Sequence, residues 1–542
     1  MDDPIGWLHR ELLMTTDANA ITTLDDIPRL HARQRGAKMA LVFEGRKTTF
    51  AQFERHVASA AAALRGIGVE PGTRVAYLGK NSDHYLELLF ACMRIGAVMT
   101  PINWRLAAPE VAYIVSDARA PILFLGLELC ASAAALTRDC TLLKHVIAME
   151  CDGPTEWPTY AAWRDAARNA VAPMRTPKPS DIAVQLYTSG TTGRPKGAML
   201  THDNFVSMRR LSQQADVPWS RWRDDDIALQ AMPVAHIGGT GFGIWALFYG
   251  VTTFIAREFD PLKVLDFIEH DGVSKLFLVP AAMQFIVRQP RARQIDYSRL
   301  GTVMYGASPI PPALLAECIE VFKCGFVQMY GMTETTGTVV ALAPEDHDLA
   351  RPELLRAAGR PLPGVELAIL DANGGHLPTG AIGEIAVRSP ANMAGYWNLP
   401  DATRTTIDRG RWLRTGDAGY IDANGYLFVH DRLKDMIVSG AENVYPAEVE
   451  NAIFGHPAVA EVAVVGVPSD KWGEEVKAIV VLKPGAAADA QGIIDWTRER
   501  VAGFKTPKSV DFVTALPRNA SGKILRRELR EPYWRGRERH VN

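Results

Sequence analysis

Twenty consecutive residues, Ile237–Ala256, carry no charge, which is the length of one membrane crossing. Whether this run is a span or part of a packed core decides which folds are open to the chain. Five glycines (Gly238, Gly239, Gly241, Gly243, Gly250) and three threonines (Thr240, Thr252, Thr253) dilute its apolarity. Gly250 then precedes the β-branched stretch Val251–Ile255, a pattern that predicts a helix, a turn and a buried strand rather than a span.

Similar alternation of helix and strand occurs elsewhere. Thr49 with Gln52 reads as a capping box ahead of Phe53, Val57, Ala60, Ala61 and Leu64 on one helical face. Arg74–Leu78 reads as a strand, His84–Ile95 as a helix capped by Gly96, and Ala97–Thr100 as a strand closed by Pro101. Val273–Val279 and Val303–Gly306 repeat the theme, so the first four-fifths of the chain is expected to form α/β layers around mostly parallel sheet. Beyond about residue 430 the texture changes to alternating strands (Val459–Val467, Val476–Leu482) with helices at Pro446–Phe454 and near Gln491–Val501, a smaller α+β unit. Between them His430–Gly440 opens on charged residues and reads as a linker. The basic stretch Arg518–Arg539, eight Lys/Arg against three Glu, reads as a solvated helix face with a frayed end.

With 542 residues the chain is long enough for several domains, and its 59 Lys+Arg against 61 Asp+Glu give no global field for nucleic acid or anionic membrane. Six cysteines without a C-x-x-C pair suggest neither a disulfide framework nor a zinc site. Asp2 and Asp3 open an N-terminus without the basic-then-apolar order of a secretory leader, so a cytoplasmic setting is expected, with peripheral membrane contact left open.

The chemistry concentrates in YTSGTTGRPKGA, Tyr187–Ala198. Gly190, Gly193 and Gly197 allow close backbone approach, Thr188, Ser189, Thr191 and Thr192 offer hydroxyls, and Lys196 adds a positive charge, a combination suited to wrapping phosphate. It is not a Walker A loop, because Gly197 follows the lysine where Ser or Thr would hold magnesium.

With this loop the sequence resembles the adenylate-forming superfamily of acyl-CoA synthetases, luciferases and peptide-synthetase adenylation domains. The further motifs stand in order: PVAHIGG (233–239), YGASP (305–309), YGMTET (330–335), RTGD (414–417), DRLKDMIVSGAENVYPAEVE (431–450) and PRNASGK (517–523). The resemblance implies an α/β fold with a large N-terminal AMP-binding domain (1–431), a hinge (432–436) and a small mobile α+β C-terminal domain (437–542). It implies that ATP activates a carboxylic acid as acyl-AMP, releasing pyrophosphate, and that the acyl group then passes to coenzyme A.

By the same resemblance, Thr188–Lys196 holds phosphates and Glu334 is the ligand of Mg2+, a hard oxygen for a hard ion. Tyr330 stacks on adenine beside Gly306, Ala307 and Ser308, with Gly331 and Thr333 completing the nucleotide site, while Asp417 and Arg432 hold the ribose. Lys523 bridges carboxylate and α-phosphate, Lys434 is the hinge position, and Ser439, Gly440 and Glu442 line the thiol tunnel. Trp472, Phe504 and Lys508 contact the CoA nucleotide. His236 borders an acyl pocket lined by Gly238, Gly239, Phe242, Val279, Ala307, Met329 and Met332.

These lining residues are apolar or small, and no Arg or Lys within the motifs is available for a second carboxylate, so an apolar monocarboxylic acid follows. A fatty acid is favoured. Met329 narrows the pocket and keeps an aryl, arylpropenoyl or steroid side-chain acid as an alternative. A non-catalytic nucleotide-binding scaffold or a membrane transport protein is the competing class, and intact Lys523, Glu334 and Asp417 argue against it. Neither the homodimer option nor a separate carrier protein as acceptor is decided by the motifs.

Overall fold

The computed structural model describes residues 16–150, 157–170, 175–188, 194–439, 442–518 and 523–535. Among these residues the larger part of the chain builds two extended sheets. In one, Met39–Phe43, Thr252–Ile255, Ile227–Gln230, Lys275–Leu278, Thr302–Gly306 and Gly325–Met332 run parallel, and Gly337–Leu342 then Arg360–Pro361 extend one side antiparallel. In the other, Arg74–Leu78 lies between Val98–Ile102 and Ile122–Leu125, and the antiparallel pair Ile182–Thr188 and Lys196–Thr201 extends it. The near-continuous apolar strands fit sheets covered on both faces.

The uncharged run behaves as its glycines predict. It folds as the helix Ile237–Phe248, a turn at Gly250 with φ +67°, and the strand Thr252–Ile255. No helix among the described residues is long and apolar enough to cross a membrane. The capping box at Thr49 and Gln52 is formed, and it starts the helix Phe50–Gly66. Helix Asp83–Ile95 is buried along its whole length between the sheets. Its Arg94 is admitted to that core because Asp25 (2.7 Å) and both oxygens of Glu54 (2.9 and 2.7 Å) accept its guanidinium hydrogens.

Three sequence expectations are corrected. Pro101 does not close its strand, which continues to Ile102; the ring needs only a position where no ladder donor is required. The opening of His430–Gly440 is not a loose linker: Leu427–Arg432 is a strand of a separate antiparallel sheet with Leu413–Ile421, Gly383–Arg388 and Glu366–Leu370. Only Leu433–Asp435 forms the connecting turn before Ile437–Ser439. The basic stretch is more than a solvated face, since the helix Arg526–Trp534 rests Leu529 and Tyr533 on the core of the C-terminal unit and donates from Trp534 Nε1 to the Gly466 carbonyl at 2.9 Å.

That unit is built on the long hairpin Val459–Ser469 and Gly473–Leu482, flanked by the helices Pro446–Phe454 and Ala490–Arg498. It has its own apolar core around Ile437, Val449, Val464, Val480 and Ile493.

Candidate active site

Thr188 and Lys196 face each other as the last register pair of an antiparallel hairpin, so the backbone brings both ends of the glycine-rich loop together. Ser189, Gly190, Thr191, Thr192 and Gly193 lie outside the described residues. Main-chain bonds from Ala394 N–H to the Met199 carbonyl (2.9 Å) and from Trp397 N–H to the Gly197 carbonyl (2.8 Å) fix the second stem.

Those bonds also place Tyr396 beside the loop. Its hydroxyl donates to Glu334 Oε1 at 2.8 Å, Thr188 Oγ1 donates to the same oxygen at 3.1 Å, and the Lys196 ammonium lies 5.2 Å from the Tyr396 ring centre. Glu334 is only 5% exposed, and among the described residues its Oε2 accepts no hydrogen bond. A carboxylate with one oxygen held and the other free of hydrogen bonds, beside a threonine hydroxyl, offers the hard oxygen donors that suit a divalent cation. Tyr396 is a site residue that the motifs did not reveal; the only signal was an aromatic pair, Tyr396 and Trp397, directly after a glycine.

Gly306 ends the strand Thr302–Gly306, paired with Met329 on the neighbouring strand, and Ala307 and Ser308 follow it. A Cβ on Gly306 would lie 2.1 Å from the Met329 carbonyl oxygen, so only glycine permits this approach. Ala307 then takes φ +68°. Tyr330 is on the same strand as Met329 and donates its hydroxyl to Asp417 Oδ2 at 2.7 Å, while Arg432 Nε lies 2.6 Å from Asp417 Oδ1. Gly331 and Met332 pair with Thr338 and Gly337, and Thr333 begins the turn that carries Glu334.

Lys523 belongs to the C-terminal unit, yet it lies in this group. Burial is the largest influence on its ammonium and holds it down to about 8; Arg432 pushes the same way, and Asp417 and Asp435 resist. Pro280, Ser308 and Leu314 on one side and Phe454, Lys523 and Arg526 on the other border a cleft of about 140 Å3 between the two parts of the chain.

His236 ends the turn before helix Ile237–Phe248. Burial, with a smaller push from Arg105, lowers its imidazole to about 4, so it is neutral near pH 7, and its buried Nε2 has no hydrogen-bond partner among the described residues. Gly238 faces the ring of Phe277, where a Cβ would meet Cε1 at 2.8 Å, and Gly239 lies against the Pro233 carbonyl. Phe242 packs on Trp222 and Trp245. Val279 caps the helix Pro280–Val287, and it is nearly buried, as is Met329.

Lys434 sits in the turn Leu433–Asp435. Ser439 pairs with both Glu442 and Gly473, which puts Trp472 (41% exposed) at the same strand ends. Phe504 (38% exposed) and Lys508 lie in the segment leading to Ser509–Phe512, which joins the same sheet. Gly440 is outside the described residues.

The family model for AMP-binding enzymes matches residues 29–397, and that for the AMP-binding enzyme C-terminal domain matches 448–523. The chain belongs to the AMP-binding enzyme family. It is 40% identical over 527 residues to a fatty acid–acyl-carrier-protein ligase, ScoC, of Streptomyces coeruleorubidus, covering 96% of this chain and 98% of ScoC. A feruloyl-CoA synthase of an Amycolatopsis species is 39% identical over 509 residues, covering 93% and 98%. ATP-bound MatB from Rhodopseudomonas palustris superposes with a TM-score of 0.84 at 31% identity, covering 94% and 99%. This AMP-binding enzyme is an adenylate-forming acid–thiol ligase, with the two-part α/β architecture of its relatives.

Proposed function

We propose that this enzyme activates an apolar monocarboxylic acid, in first place a fatty acid, with magnesium ATP and passes the acyl group to the thiol of coenzyme A. The single observation that carries this reading is Lys523, brought from the C-terminal unit into the Tyr330–Asp417–Arg432 group. A substrate carboxylate oxygen attacks the α-phosphorus, the bond to the β-phosphate oxygen breaks, and pyrophosphate leaves. Negative charge gathers at the α-phosphate during that exchange, and a fixed ammonium in a water-poor cleft stabilises it. Asp417 accepts from the ribose hydroxyls, with Arg432 and Tyr330 holding its orientation. Glu334 and Thr188 would hold magnesium, which when bound supplies charge neutralisation for the leaving phosphates. His236, being neutral, would orient the carboxylate through a hydrogen bond rather than an ion pair. In the second half-reaction the thiol attacks the acyl carbon and AMP departs, after the small domain has turned about Lys434 to bring Ser439, Glu442, Trp472, Phe504 and Lys508 to the acceptor.

An aryl or arylpropenoyl acid is the second reading, favoured by the Phe277 ring, which borders Gly238 and would face a flat substrate. Pyrophosphate release over acids of graded length and ring content, with and without CoA, separates the two. Replacing Lys523 by Ala is expected to lower acyl-adenylate formation roughly 100-fold or more while a supplied acyl-adenylate still reacts with CoA. Equal losses in both half-reactions overturn the lysine's role. Pyrophosphate without thioester moves the acceptor to an acyl-carrier protein, as in the name of ScoC.

A further inference from the structure

Lys523 stands three residues before Arg526, and beside it the Leu525 N–H donates to the Pro517 carbonyl at 2.8 Å, which holds the local backbone but leaves open what carries the ammonium toward Asp417. Arg526 opens the helix Arg526–Trp534, which is fixed to the C-terminal unit through Leu529, Tyr533 and Trp534. Its Nη2 donates to Glu450 Oε2 at 2.7 Å and its Nε to Glu450 Oε1 at 3.2 Å, a two-point grip within the same unit that aims the guanidinium. From there Nη1 donates to Asp431 Oδ1 at 3.1 Å, with Asp435 Oδ2 at 3.9 Å. Asp431 lies before the turn Leu433–Asp435, at the end of a strand of the larger part, and its other oxygen accepts the Ala447 N–H at 3.0 Å from across that turn. Arg526 with Asp431 is an ion pair that joins the segment after this turn to the part before it. Asp431, Asp435 and Glu450 are all buried or nearly so around this one guanidinium, so without it three carboxylates face one another in a dry site.

We infer that Arg526 is the positioning residue that seats Lys523 for acid activation, by pinning the start of the C-terminal helix to Asp431 across the hinge. It touches no reacting atom. Turning the small domain about Lys434 breaks the bond to Asp431 and keeps the one to Glu450, so the same residue is spent in the first half-reaction and idle in the second.

This rests on the proposed adenylation. The test measures the two half-reactions separately on the full-length chain: pyrophosphate release with the best acid of the panel, and thioester formation from supplied acyl-adenylate. Arg526→Ala is expected to lower the first roughly 10- to 100-fold, the scale of a misplaced catalytic group, and to leave the second within about twofold. Arg526→Lys recovers part of the loss, because an ammonium can reach one carboxylate but cannot fork between two. Asp431→Asn keeps the acceptor for Ala447 and removes the charge; it gives the same split, and the double variant is no worse than Arg526→Ala alone. Equal loss in both halves, no loss in the first, or losses that multiply in the double variant overturn the inference. Should the wild-type chain release no pyrophosphate with any acid, it is the proposed function that fails, not the role of Arg526.

Discussion

The ammonium of Lys523 gives the reading its most exposed prediction. Its depression from 10.5 to about 8 arises mainly from burial, with Arg432 adding to it, and corresponds to a cost of about 3 kcal/mol to the cation relative to a lysine in water. Because the value is lowered, the cation is present below pH 8 and is lost as pH rises through 8. Acid activation measured as kcat/KM reports the free enzyme, so it is expected to be flat from about pH 6.5 to 7.5 and then to fall about tenfold per pH unit above 8. Under saturating ATP the phosphate charge raises the lysine, and the fall in kcat moves to higher pH. A stopped assay of pyrophosphate release from pH 6.5 to 9.5, run beside Lys523→Arg, separates this from unrelated alkaline losses. The guanidinium stays charged throughout, so the variant, though slower, has no fall near pH 8. A wild-type profile level to pH 9.5, or the same decline in Lys523→Arg, refutes the argument.

Glu334→Gln keeps an acceptor for Thr188 and Tyr396 but removes the charge; pyrophosphate release is expected to fall roughly 100-fold and the magnesium concentration for half activity to rise, and an unchanged magnesium titration sinks the assignment. Gly306→Ala forces a methyl onto the Met329 carbonyl and is expected to cost about 3 kcal/mol, read as a lower midpoint of chemical unfolding; an unshifted midpoint counts against the close approach. Lys434→Pro fixes one backbone angle in the turn and is expected to spare acid activation while slowing thioester formation several-fold, so a variant with both rates unchanged removes the hinge.

Local sequence reported well wherever one short segment decides the outcome. The capping box at Thr49, the glycines that break Ile237–Ala256 and the helix Pro446–Phe454 all folded where residue spacing put them. The chemical types at Thr188, Glu334, Asp417 and Lys523 were likewise visible, since each stands in a recognisable motif. Partners far apart in the chain were not. Tyr396 meets Glu334 across 62 positions, and Arg526 meets Asp431 across 95, through side chains whose sequence neighbourhood reads as an ordinary aromatic pair and an ordinary basic helix. The charged opening of His430–Gly440 misled for the same reason: Asp431 looks like solvated linker until Ala447 and Arg526 are found waiting for it.

The narrow gap bordered by Ser308, Leu314, Phe454 and Arg526 lies between the two parts of the chain. A compound filling that crevice would bridge the two parts beside Ser308 and Lys523, and under the proposed turn about Lys434 it would hold the enzyme in the arrangement that charges the acid and keep it from the one that discharges it.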